Sequence, residues 1–528
     1  MLKAREPSEP AAGATSRGAG DPRTDRLLLV ALALAARLPR FGESLWYDEV
    51  FYSTHERFAT WQEILDSLLR SMAAPLYRLL LFGWVALVGD HEVVVRLPSL
   101  LFGLGSIVLT YELARRWIDV PTARLAAAWL CLAPAHVWYS QEATPYALLA
   151  LLVVAAALLA ARCADRSPTW AAAGLAAAAL AAAFFTHYLA IVAVVPLALL
   201  ALSAPPPARR RLLAAHALAG LAAVALVMAK RSSGNLRAGQ GFLREFDAFE
   251  GWMFFGQWCA HGNTLWPTNP YRASFAALAA RPGLVAVQIA AAVVLALGIR
   301  RALAGGARQR LLVGCLVALP AALWALSLAG YRHLYIERYA FWALPFYALL
   351  AAWGARSFAR PRARQVAAAL WLALAAAAYV GWYVEDERWT VYKQNADWRA
   401  AAAELAAKSS PEYPVLAIGV SRTLALRYHL RRIGALDSVA VSDSDLRRID
   451  WALDRGIRRF FVVEDLDWRG DLARALAALD QRPGLRRVAV REHRGVRLFE
   501  YEMRADDGAR RPTSGAAETA PRRSEPGG

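Results

Sequence analysis

Cysteine is scarce in this chain: only four occur in 528 residues, at Cys131, Cys163, Cys259 and Cys315. They show neither the spacing of a metal site nor a disulfide framework. Three lie in or beside apolar runs, where a thiol serves as a small hydrophobe. Acidic residues are few as well, 43 against 61 basic ones, for a net charge of +18. In a soluble protein that excess would suggest nucleic acid. Here the arginines cluster in short loops between apolar runs, as the positive-inside rule expects, so no nucleic-acid partner is expected. The internal repeats and broken midplane helices common in secondary transporters are missing. The first apolar run, 27–38, lacks a small-residue cleavage site and reads as an uncleaved signal anchor.

What the chain has in abundance is hydrophobic sequence, 57% of its residues. Apolar runs of about 15–22 residues recur between 27 and 384, roughly the length that crosses a ~30 Å hydrocarbon core. Eleven transmembrane helices are expected, at 27–38, 93–114, 120–138, 146–161, 168–186, 189–203, 212–229, 283–299, 311–329, 339–355 and 365–384. The run 75–89 is short, opens with Pro75 and contains Arg78, which favours an interfacial or re-entrant helix. Charge decides the point. If 75–89 does not cross, the short interior loops hold 16 Lys/Arg and the short exterior loops hold only Arg332 and Arg338. Counting it as a span would invert every later loop and part Asp48 from Glu142.

The flanks differ from this middle. Residues 1–26 and 505–528 are rich in small, polar and basic residues and read as a disordered cytoplasmic lead and a disordered tail. Long exterior stretches are expected at 40–91, at 230–282 and after 384. The second carries Trp252, Phe254, Phe255, Trp258, Trp266 and Tyr271, which suit interfacial anchors or a lid over a lipid-facing cavity. Beyond 384, helix-period stretches (397–408, 422–432, 444–455, 471–479) alternate with strand-like ones (415–420, 459–463, 487–491, 496–501). That alternation predicts a soluble exterior α/β domain over 385–504 with a mostly parallel sheet. Ser421-Arg422-Thr423 follows its first strand, not a glycine-rich turn, so a nucleotide site is not expected there. The domain reads as structural or acceptor-facing.

Charged groups at the edge of a membrane domain are costly and mark candidate sites. Asp48 and Glu49 follow the first span in Trp46-Tyr47-Asp48-Glu49. They suit either an acidic first helical turn or a general base acting on an acceptor hydroxyl. Glu142 lies in a short polar turn after Trp138-Tyr139-Ser140-Gln141, on the same face as Asp48 if the arginine count holds. Arg338, at the mouth of a later span, suits a phosphate because its planar fork binds two oxygens at once. Arg332 and His187 are further phosphate-binding candidates on that side, and His333 is a weaker one. Asp48 and Glu142 could share a divalent cation, but no third oxygen ligand is evident, so no metal or other cofactor is expected.

Several motifs follow one another in order. They are Trp46-Tyr47-Asp48-Glu49, Pro75-Leu76-Tyr77, Glu92 with Arg96-Leu97-Pro98-Ser99 and Gly103, and Trp138 with Gln141-Glu142-Ala143 and Tyr146-Ala147-Leu148. Together they resemble the GT-C glycosyltransferases of the protein O-mannosyltransferase and aminoarabinose-transferase type, including bacterial relatives that modify lipopolysaccharide core. The resemblance is strongest over 27–160 and continues more weakly through Arg338. It departs where relatives carry Lys or His before Pro-Leu-Tyr, here Ala73-Ala74, and Arg after Gln-Glu-Ala, here Thr144.

The resemblance implies a polytopic α-helical GT-C-like membrane protein in a bacterial inner membrane, its C-terminal domain on the periplasmic side. It implies inverting transfer of a sugar from a polyprenyl-phosphate donor to a hydroxyl acceptor at the outer face. Asp48 takes the base role with Glu49 beside it, and Glu142 an acidic second-loop role. A flippase of lipid-linked saccharide and a catalytically silent subunit are the competing readings; the first is disfavoured by acidic motifs gathered at one rim.

Overall fold

A computed structural model describes residues 21–53, 61–71, 73–165, 168–232, 243–266, 273–331, 333–384, 396–409, 415–417, 420–437, 441–443, 457–465 and 471–504. The chain divides into two compact units, Met1–Glu43 with Asp48–Lys393, and Ser44–Tyr47 with Gln394–Gly528.

The first unit is helical. It runs through α1 (Pro22–Arg37), α2 (Tyr47–Ser53), α3 (Trp61–Arg70), α4 (Pro75–Val88), α5 (Glu92–Trp117), α6 (Val120–Leu132), α7 (Pro134–Gln141), α8 (Tyr146–Asp165) and α9 (Trp170–Thr186). It continues with α10 (Val194–Leu202), α11 (Pro206–Ser232), α12 (Ala248–Met253), α13 (Cys259–His261), α14 (Phe275–Ala279), α15 (Pro282–Leu303), α16 (Ala307–Leu328), α17 (Leu344–Ala355) and α18 (Pro361–Val384). Each expected span falls on one or two of these helices. Six helices are long and apolar enough to cross a membrane by length and composition: α5, α8, α11, α15, α16 and α18. The protein is a polytopic, integral membrane protein, and the run 75–89 forms the 14-residue α4.

Two expectations are corrected. The lead does not extend to residue 26. Asp21 caps α1 by accepting from the Arg23 amide at 3.0 Å, and Pro22 fits the first helical turn, where its missing N–H costs nothing. Asp25 then ties that turn down, accepting from Tyr111 Oη at 2.5 Å and Arg124 Nε at 2.9 Å. The span expected at 120–138 is broken at Ala133, whose φ of −61° and ψ of 117° is extended. A residue before proline is pushed out of the α region, and Pro134 follows. The break frees carbonyls at the end of α6, and Arg37 meets them. Its guanidinium, fully buried, donates to Cys131 O at 3.1 Å and Leu130 O at 3.4 Å, and sits 2.8 Å from His136 Nδ1.

Small residues let the helices approach. A Cβ on Gly298 of α15 would strike the carbonyl of Leu350 in α17, and one on Gly354 would strike that of Val294. Contact that tight suits helices packing where no hydrophobic force drives them together. The expected spans at 189–203 and 339–355 both open as 3₁₀ turns, Tyr188–Ala193 and Glu337–Ala343, before becoming α10 and α17.

The second unit holds α19 (Trp398–Lys408), α20 (Val420–Arg432), a helix at Asp471–Asp480 and five strands. These are β1 (Val415–Ala417), β2 (Val441–Asp443), β3 (Arg459–Asp465), β4 (Leu485–His493) and β5 (Val496–Met503), in the order β2-β1-β3-β5-β4. The sheet is mixed, not mostly parallel. β1 pairs parallel with β2 and β3, but β5 pairs antiparallel with β3 and β4. The cause is the two-residue turn Arg494-Gly495, with Gly495 at φ 74°, since a turn that short makes an antiparallel hairpin. Within this unit Asp397 caps α19, and Ser44 Oγ donates to Asp397 Oδ1 at 3.2 Å. Residues 1–20, the helical stretch expected at 444–455 and the tail 505–528 lie outside the described residues.

The arginine bias fixes an expected orientation for α16. With Tyr331→Cys, an exposed position past its end, an impermeant maleimide should label intact cells. With Ala307→Cys at its start, labelling should need permeabilisation. The four native cysteines are buried and give little background. Labelling of Ala307→Cys in intact cells would overturn the orientation.

Candidate active site

The acidic pair opens α2, and successive helical positions point it two ways. Glu49 faces inward with no exposure; Asp48 keeps 18% of its side-chain surface. Both Glu49 oxygens take the fork of Arg96, Nε to Oε1 and Nη2 to Oε2, each at 2.7 Å. Arg96 comes from α5 and is itself fully buried. Its Nη1 donates to Phe41 O at 2.9 Å and Glu43 O at 2.7 Å. Glu49 Oε1 also accepts from the Ala143 amide at 2.9 Å. One carboxylate thus fastens α2, α5 and the turn that carries Glu142. Expected as a catalytic group, Glu49 is a positioning residue instead, because its oxygens are committed to Arg96 and Ala143.

Glu142 ends α7, nearly buried, and accepts from Thr144 Oγ1 at 3.1 Å. Thr144 stands where relatives carry arginine, so this carboxylate has a hydroxyl beside it. The same turn is held from α4 and α5: Tyr77 Oη lies 2.8 Å from Ser99 Oγ, which donates to Thr144 O at 3.4 Å.

Arg338 reaches the site from the Glu337–Ala343 turn. Its Nη1 donates to Asp48 Oδ2 at 2.8 Å, and its guanidinium lies over the Tyr146 ring. The structure therefore brings the candidate base and the candidate phosphate clamp into direct contact across 290 residues of sequence. Tyr139 is in electrostatic range of Glu142, Arg338, Glu337 and Asp48 alike.

His187 joins this group, its ring 4.6 Å from that of Tyr339 and 6.0 Å from that of Tyr146. Desolvation, then the Arg338 charge, pushes it down to about 4. It is neutral near pH 7 and brings no positive charge to a phosphate, contrary to expectation. Its Nδ1 accepts from the Leu189 amide at 3.3 Å, which leaves Nε2–H as the donor. His333 lies apart, its Nδ1 3.1 Å from Leu243 O. Arg332 lies outside the described residues.

Two groups escaped the sequence reading. Arg96 stood inside a quoted motif with no role, because its partner is 47 residues away. Lys230 looked like an ordinary basic end of a span. In the fold its Nζ donates to Ser71 O at 2.5 Å and Ala73 O at 2.7 Å, and Tyr188 Oη donates to the same Ala73 carbonyl. A cation from α11 thus stands at the segment where relatives carry one in sequence.

The sequence model of the family described as dolichyl-phosphate-mannose-protein mannosyltransferase matches residues 72–231. ArnT from Cupriavidus metallidurans in the apo state superposes with a TM-score of 0.51 at 16% identity, over 90% of this chain and 97% of that one. The same protein bound to undecaprenyl phosphate gives 0.50 at 16% identity with the same coverage. The oligosaccharyltransferase of Archaeoglobus fulgidus, in complex with Zn and sulfate, gives 0.50 at 12%, over 87% and 70%. A comparison with curated protein sequences returned no match. The fold is that of the GT-C superfamily. Within it, the chain is of the ArnT and protein-mannosyltransferase type.

Removing one partner of a buried ion pair strands the other charge, at a typical cost of about 3–5 kcal/mol. Glu49→Ala should therefore lower the thermal unfolding temperature in detergent sharply. The double change Glu49→Leu with Arg96→Met should recover much of it. A Glu49→Ala protein as stable as the parent would show that the pair anchors nothing.

Proposed function

We propose that the protein is an integral-membrane glycosyltransferase that moves a sugar from a polyprenyl-phosphate donor to a hydroxyl acceptor at the outer face, with inversion. The observation that carries this reading is the 2.8 Å contact between Asp48 and Arg338. It joins a partly exposed carboxylate to a cation suited to phosphate, at a rim stiffened from behind by Glu49 and Arg96. That ArnT was solved with undecaprenyl phosphate bound supports a lipid phosphate as the donor group.

The chemistry is a single displacement. The acceptor oxygen attacks the anomeric carbon from the side opposite the phosphate. The bond from that carbon to the phosphate oxygen breaks, and its electron pair leaves with the lipid phosphate, whose charge Arg338 takes up. The acceptor proton passes to Asp48. One displacement inverts the anomeric centre. An aspartate of ordinary pKa, near ~3.9, is ionised at neutral pH and serves as base if held close. Donor phosphate competes with Asp48 for the Arg338 fork, so binding the donor releases the base. Glu142, beside Thr144, orients the acceptor or the departing group. The arginine bias puts this rim outside, on the periplasmic side of a bacterial inner membrane, with the C-terminal unit on that side as well.

Purified protein given a polyprenyl-phosphate sugar with a radiolabelled glycosyl group tests this directly. Asp48→Asn should lower turnover by about 10²–10⁴-fold, the usual worth of a positioned base, while donor binding persists. Arg338→Ala should weaken donor use more than Arg338→Lys, which keeps the charge and loses the fork. Near-parental transfer by folded Asp48→Asn would refute the base assignment.

A further inference from the structure

Beside the acidic rim lies a second polar site that the mechanism above does not use. Residues 243–266 and the Glu337–Ala343 turn border a cleft of about 260 Å³, lined by Arg244, Glu250, Gln257, Trp258, Asn263 and Glu337 among others. Arg244 is fixed by its backbone, which exchanges hydrogen bonds with Tyr335 at 2.8 and 3.0 Å. Its guanidinium donates from Nη1 to Glu250 at 2.8 Å and from Nη2 to Glu337. Across the cleft Gln257 donates to Asn263 Oδ1 and to Trp266 O, and accepts from Gln288 Nε2 at 3.3 Å.

The backbone is shaped to present these groups. Phe254–Trp258 is a π-helical turn, a local irregularity frequent at functional sites. Gly262 and Asn263 are both left-handed, at φ 63° and 60°. Gln257, Asn263, Glu250 and Glu337 are each less than 9% exposed. Burying so many polar groups is costly where apolar packing would serve stability as well or better. Desolvation raises the Glu250 carboxyl to about 8, against the opposing Arg244 charge, so near neutrality it is largely protonated and can donate.

We propose that this cleft is the subsite for the sugar carried by the donor, and that Gln257, Asn263, Arg244 and Glu337 select it by its hydroxyl pattern. The inference rests on the donor reading above. Two amides, two carboxyls and a guanidinium beside the Trp258 indole match the alternating donors, acceptors and C–H faces of a pyranose or furanose. The cleft is smaller than the roughly 300–1,000 Å³ of sites for drug-sized ligands, which suits one monosaccharide. Its place follows from connectivity. Glu337 is the residue before Arg338, and the donor sugar is joined to its phosphate through a single oxygen. A phosphate held by Arg338 leaves its sugar beside Glu337. The polar arms now bond one another across the cleft, so hydroxyls enter by exchanging those bonds. That exchange penalises a sugar with the wrong pattern, since it leaves buried groups unmatched.

The test measures binding of purified full-length protein to decaprenyl phosphate and to decaprenyl phosphate bearing a hexose, a pentose or an amino sugar. The parent should bind at least one sugar-bearing form about tenfold more tightly than the bare phosphate, the worth of one or two net hydrogen bonds. Gln257→Leu and Asn263→Gly should erase that advantage and leave affinity for bare decaprenyl phosphate unchanged. Gln257→Glu, which keeps the shape, should change which sugar is preferred. Loss of affinity for the bare phosphate in these variants would mark a structural role and overturn the proposal. So would a sugar preference that survives both substitutions, or a change confined to the acceptor KM. A parent protein that binds no polyprenyl phosphate and transfers nothing would instead refute the glycosyltransferase reading.

Discussion

The buried pair of Glu49 and Arg96 is the constraint on which the acidic rim depends. A carboxylate and a guanidinium, neither exposed, meet by two bonds of 2.7 Å. Out of water such an arrangement is tolerable only when the remaining donors and acceptors are also used. They are used, by the carbonyls of Phe41 and Glu43 and the amide of Ala143. The pair therefore does more than neutralise itself. It draws the end of the first exterior segment, the start of α5 and the Glu142 turn to one point, and fixes which way α2 turns Asp48.

Asp48 differs from its neighbour in what surrounds it. It keeps some contact with solvent and faces a single arginine. That contact can be exchanged for a phosphate, whereas the Glu49 pair is locked by four anchors. Adjacent carboxylates thus take separate duties through their positions on a seven-residue helix. The same division recurs in the cleft by Glu337: Arg244 holds two carboxyls there, while the next residue, Arg338, turns to Asp48. Neighbouring positions in one 3₁₀ turn serve two parts of what we propose is a single reaction centre.

Irregular helices recur around these groups. Proline breaks α6 from α7 and opens the turn that ends in Glu142, and a buried Arg37 satisfies the carbonyls so freed. The 3₁₀ turns at Tyr188–Ala193 and Glu337–Ala343 and the π turn at Phe254–Trp258 carry or border His187, Arg338, Gln257 and Trp258. Regular helix could not aim these side chains at one rim. In a bilayer, non-helical backbone is tolerated where it is buried in protein or lines a polar cavity.

Local sequence determined the helices, because hydrophobic length and the arginine bias act over a few residues at a time. It marked Asp48, Glu142 and Arg338 by the cost of charge at a membrane edge, and its ordered motifs pointed to the GT-C type. It misjudged the start of α1 and the sheet, where a cap at Asp21 and a two-residue turn outweighed the broad pattern. Pairing was beyond its reach. That Glu49 belongs to Arg96, that Arg338 meets Asp48 across 290 residues, and that Lys230 stands at Ala73 are outcomes of helix packing. So are the neutrality of His187 and the cleft at Gln257, since desolvation and enclosure depend on neighbours far away in the chain. Sequence named the charged groups; tertiary structure decided which stay available for chemistry, because only packing sets what each one faces.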